Sequence, residues 1–87
     1  MILYHVTSEK KAKHYGTSKR IFKPVRGFTT IMAALAWAVK ANRKVIYEIT
    51  GTTAYKLPDH HNQFGEAWWF DEDIIDFKCV FSAVKDA

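Results

Sequence analysis

One cysteine, Cys79, stands in the 87 residues, so no disulfide can close within the chain. A lone thiol suits a reducing compartment, and Cys79 is expected as a small buried hydrophobe in a strand; with no activating base in view, a nucleophilic role for it is disfavoured. Two prolines and four scattered glycines make neither a linker nor a Gly-rich phosphate loop. No apolar run approaches the roughly 18 residues that cross a bilayer. The start, Met1 to His5, turns polar from Thr7 without the form of a signal peptide, so a cytoplasmic protein with no membrane partner is expected. Internal repeats, low-complexity tracts and recognisable nucleic-acid-binding motifs are also missing. The only clustered metal-ligand types are Asp59, His60 and His61, and adjacent residues of an extended segment point to opposite sides; no metal site is expected.

What is present is aromatic and unevenly charged. A chain of 87 residues makes one domain, 1–87, and hides only roughly 60–65% of its unfolded surface. Its 15% aromatic content offsets this thin core, because each ring buries on the order of 150–250 Å². The net charge is +4, with Lys10, Lys11, Lys13, Lys19, Arg20, Lys23 and Arg26 in the first third and Glu66, Asp71, Glu72, Asp73 and Asp76 in the last. A basic third suits phosphates, of a nucleotide or of a nucleic acid backbone, and equally a solvated surface.

The strongest local signal is Gly27-Phe28-Thr29-Thr30 followed by Ile31 to Asn42, an extended approach breaking into the one long helix. Thr29 or Thr30 supplies the N-cap. Ile31, Ala34, Leu35, Ala38 and Val39 recur at helical spacing and are expected to face the core, with Trp37 on a neighbouring ridge. Met1 to Val6 reads as a strand carrying His5 near its end, and Thr7 or Ser8 caps a short helix that Gly16 should stop. A brief strand is expected at Lys19 to Phe22, a clear one at Lys44 to Thr50, and an edge strand at Thr52 to Leu57. A polar loop follows from Pro58 to Asn62, then strands at Glu66 to Phe70 and Asp76 to Ser82, the last with Phe77, Cys79 and Phe81 on one side. Strands in runs with two helices predict an α+β domain whose sheet is mostly antiparallel.

Polar groups at strand ends and turns are the site candidates: His5, the Thr29-Thr30 turn and Glu66. Glu66 opens a strand whose next residues are Ala67, Trp68, Trp69 and Phe70, apolar walls that strengthen the pull of a carboxylate on developing positive charge. Trp37 reads on its own as a partly buried core aromatic, and Glu66 as an exposed strand-end carboxylate.

Three segments, in order, resemble the ADP-ribosyltransferase superfamily. Leu3-Tyr4-His5-Val6-Thr7 is similar to its first-strand motif, with Val6 where glycine is commoner. Gly27-Phe28-Thr29-Thr30 with Ala34 and Trp37-Ala38 is similar to its strand-to-helix motif. Phe64 to Phe70, then Asp73-Ile74-Ile75 and Phe77 to Phe81, is similar to the third, where a Glu opens a strand. The resemblance implies a split sheet with two helices, binding NAD in a cleft between its halves and transferring ADP-ribose to a macromolecular acceptor, protein or nucleic acid, without a metal. It implies that His5, with Thr7 in the same motif, holds the adenosine side of NAD, that Phe28 or Trp37 stacks on the nicotinamide, that Thr29 or Thr30 stabilises the site, and that Glu66 is catalytic, favouring the oxocarbenium-like transition state. Phe64 stands where arginine-modifying members carry Glu, so arginine is not the implied acceptor. The alternative on the same scaffold is an inactive module that binds a nucleotide, a nucleic acid or a protein.

Overall fold

A computed structural model describes residues 1–58 and 63–84. The expected loop residues Asp59 to Asn62, with their candidate ligands, and the residues after Val84 lie outside this range. In chain order the elements are β1 (Ile2–Thr7), α1 (Glu9–Ser18), β2 (Val25–Phe28), α2 (Ile31–Ala41), β3 (Val45–Thr50), β4 (Ala54–Lys56), β5 (Ala67–Phe70) and β6 (Asp76–Ser82). They form a small α+β domain with one six-stranded antiparallel sheet in the order β4-β5-β2-β1-β3-β6.

Alternation along the strands gives the sheet two apolar faces. One carries Leu3, Val25, Ile49 and Phe70, joined by Ile21 and Ile74. Tyr15 of α1 packs on this face, edge-on to Tyr47 and Phe77 at centroid distances of 5.7 and 6.3 Å. The other face carries Phe28, Ile46 and Ala67 and is covered by α2 through Ala33, Ala34 and Ala38. Alanine at these positions brings the helix close to the strands. The expected stripe is therefore rotated: Ala34 and Ala38 are buried, Ile31 and Leu35 are half-buried, and Val39 is 83% exposed.

The caps explain where the helices begin and end. Ser8 Oγ accepts from Lys11 N–H at α1 and Thr30 Oγ1 from Ala33 N–H at α2, settling both open choices of N-cap. α2 ends on Asn42 in the left-handed conformation. α1 does not stop at Gly16. Thr17 and Ser18 hydroxyls donate back to the Lys13 and His14 carbonyls, and Lys19 takes the left-handed cap instead.

Two strand expectations change. Lys19 to Phe22 is not a strand: only Ile21 pairs, with Ile74, while Asp73 takes the Lys23 N–H at 2.9 Å and an ion pair from Arg20 at 3.6 Å. β6 carries a register shift opposite Ile46 and Tyr47, so that Tyr47 faces Cys79 and Ile46 faces Phe81. This bulge moves Phe81 off the face of Phe77, and Cys79, on an edge strand, is exposed rather than buried.

The join that matters for the site lies between β1 and β2. Only Tyr4 and Phe28 pair across it, whereas β1 pairs with β3 along its whole length. Gly27 permits that approach, since a Cβ there would stand 2.7 Å from Leu3 Cβ and 3.1 Å from the Tyr4 carbonyl oxygen. Beyond this rung the strands part.

Candidate functional site

Where β1 and β2 separate, a cleft of about 560 Å³ opens, within the range of roughly 300–1,000 Å³ usual for small-molecule sites. His5 and Val6 of β1 form one wall, and Arg26, Gly27 and Phe28 of β2 with Pro24 another. Ala67 of β5 and Leu57 continue the β2 side. Trp37 of α2 and Phe64 close the aromatic end, their ring centroids 6.0 Å apart and tilted by 52°. Lys11 of α1 and Arg43, just past α2, bring cations from both helices to join Arg26.

His5 holds the opening in place. Its Nδ1 lies 2.6 Å from the Arg26 carbonyl oxygen, an acceptor only, so Nδ1 carries the proton. Nε2 then accepts from the Tyr15 hydroxyl at 3.1 Å, and that oxygen in turn accepts from Thr7 Oγ1 at 3.4 Å. Burial lowers the His5 pKa below its ordinary 6.5; the Arg26 carbonyl opposes this, and Lys11 and Arg43 reinforce it. The neutral ring is thus a side-chain stitch between two strands that no longer share ladder bonds.

The expected site residues divide. His5, Phe28 and Trp37 line the same cleft. Of the two rings proposed for stacking, Phe28 is 9% exposed and Trp37 39%, so the accessible aromatic surface is that of Trp37. Thr7 is fully buried behind His5. Thr30 is the α2 cap, and Thr29 N–H donates to the Glu66 carbonyl at 3.0 Å, tying the β2 end to the start of β5. Neither threonine, nor Thr7, nor Glu66 is among the described lining residues. The Glu66 carboxylate is exposed and accepts from the Trp68 indole N–H at 2.6 Å.

The electrostatics favour an anion. Three cations, all exposed, and no carboxylate line the cleft among the described residues, so its mouth carries net positive charge. Lys11 and Arg26 belong to the basic third that the composition marks, but scattered lysines do not announce which of them converge. Arg43 had no signal beyond its place after a helix end, where its N–H bonds the Ala38 carbonyl at 2.9 Å. Tyr15, the partner of His5, stood only as a helix residue. Among the described residues no group of three His, Cys, Asp or Glu side chains could hold a metal, and no helix is long and apolar enough to cross a membrane. Comparison of the chain with family models, curated proteins and solved structures found no match.

Proposed function

We propose that the cleft binds NAD and that the chain is an ADP-ribosyltransferase-like protein, passing ADP-ribose to a macromolecular acceptor. The observation that carries this reading is the meeting of Trp37 with Lys11, Arg26 and Arg43 where β1 and β2 part. A dinucleotide offers flat rings for the indole and a pyrophosphate for the cations, and the volume fits the class of ligand. The single rung between β1 and β2, with His5 on one strand and Phe28 on the other, supports the finer reading of the fold as a split sheet of that superfamily. Glu66 opens β5 and is tied through its carbonyl to Thr29 beside the cleft; in this reading its carboxylate, which stands outside the described lining, turns to favour the sugar cation as nicotinamide leaves.

A second reading, an inactive binding module on this scaffold, is favoured by one arrangement. The Glu66 carboxylate is engaged by Trp68, and both His5 ring nitrogens are engaged within the protein.

Two measurements separate these readings. Titration with NAD should quench tryptophan fluorescence, and Trp37→Ala should remove most of the quench; no response at millimolar NAD overturns the cleft assignment. Nicotinamide release with a cell lysate as acceptor source should occur in the parent protein and be lost in Glu66→Gln with the fold intact. Binding without release leaves the inactive module.

A further inference from the structure

Beside the cleft, the sheet presents an aromatic surface that neither the core nor the cleft uses. Register places Arg26 of β2, Trp69 of β5 and Tyr55 of β4 side by side in one row across three strands. The next row on the same face is Phe28, Ala67 and Leu57, part of the cleft lining. α2 lies mainly against β1, β2 and β3, so among the described elements it does not cover this end of the face. Tyr55 is 49% exposed, and its ring stacks on Trp69 at a centroid distance of 5.0 Å with 31° between planes.

Two flat rings on the two outer strands of this end of the sheet, flanked by an arginine, form a stacking platform beside a cationic cleft. Every nucleobase has a π-face, and the phosphates joining successive bases need the positive charge that Arg26 and the cleft supply. A duplex hides its base faces, so the matching chemistry is a single strand. We infer that the row of Arg26, Trp69 and Tyr55 binds single-stranded nucleic acid, one base on the aromatic pair and the backbone running over Arg26 toward the cleft. Asp71, the exposed residue just past β5, repels phosphate at the end opposite the cleft and sets that direction. Because the two rows adjoin, the bound strand reaches the cleft mouth; that it is the acceptor of ADP-ribose rests on the NAD reading above.

The test uses the full chain and fluorescein-labelled oligothymidine and oligouridine of about twelve nucleotides, with a duplex of equal length, read by anisotropy at low salt. The single strands should bind, the duplex much more weakly, and affinity should fall as salt rises. Trp69→Ala and Tyr55→Ala should each weaken single-strand binding roughly five- to hundredfold. Tyr55, on an edge strand, can be changed without opening the core. Both variants should keep parental NAD binding by calorimetry, since neither ring lines the cleft. A preference for oligothymidine or oligouridine identifies DNA or RNA as the source. No binding at about 0.1 mM protein, duplex binding equal to single-strand binding, or unchanged affinity in both folded variants overturns the inference. Strand binding without NAD binding overturns the cleft reading instead.

Discussion

At the scale of single residues, His5 has a structural role that its place near the end of β1 does not announce. Its neutral ring bonds the Arg26 carbonyl and Tyr15, and its pKa is lowered first by burial. A base with a lowered folded pKa contributes stability that is present above its unfolded value of about 6.5 and is lost as pH falls below that value toward the folded one. Thermal midpoints compared at about pH 7.5 and pH 5 should therefore drop more in the parent than in His5→Gln; equal drops in the two would show that His5 does not titrate with folding. Gly65 is a second residue whose role is conformational. Its φ is 152°, and a Cβ would stand 2.5 Å from the Ala33 Cβ of α2. Gly65→Ala should cost about 1–3 kcal/mol in denaturant unfolding, because strain and overpacking coincide.

At the scale of elements, the sequence predicts positions better than faces. The β3 alternation is correct residue by residue: Val45, Tyr47 and Ile49 pair with Thr7, His5 and Leu3, and Ile46 and Glu48 with Val6 and Tyr4, because a two-residue period leaves no freedom once the strand is named. α2 was legible in its extent and in the choice of capping residues. Its buried side is legible in part: Ala34 and Ala38 of the expected stripe are buried and Leu35 packs beside them, but Ala33 joins them and Val39 is exposed, because the close approach to Phe28 and Ala67 favours small side chains. The β6 bulge was invisible for a related reason: one extra residue changes no composition, yet it moves Phe81 to the other face. Two substitutions check this account of α2. Thr30→Ala should destabilise by about 1 kcal/mol through loss of the Ala33 hydrogen bond, and Val39→Lys should stay within about 0.5 kcal/mol of the parent. A large loss for Val39→Lys would mean that this side of the helix is covered.

At the scale of the whole molecule, the site comes from distant parts of the chain, and this limits what sequence reasoning sees. Basic residues from the first third are candidates for phosphate contact, but the convergence of Lys11 and Arg26 with Arg43 depends on how α1 begins and α2 ends relative to the sheet. The same three-dimensional arrangement links two measurable properties. Lys11 and Arg43 both lower the His5 pKa, so Lys11→Ala or Arg43→Ala should move the His5 titration, followed by proton NMR, to higher pH. Each change should also weaken NAD binding about tenfold, the equivalent of one charge-assisted hydrogen bond worth about 1.5 kcal/mol. A shifted titration with unchanged affinity would place both cations near His5 but away from the ligand.

The lone pairing of Tyr4 with Phe28 has one more consequence. It divides six strands into two leaves, β4-β5-β2 and β1-β3-β6, whose ladders share a single rung, with the His5 hydrogen bond to the Arg26 carbonyl beside it. Leaves with so short a shared ladder are expected to rock against each other more easily than fully laced strands, which would make the width of the gap an adjustable dimension. A guest that grips both margins would lock that angle, and amide exchange on β1 and β2 would slow together when it arrives.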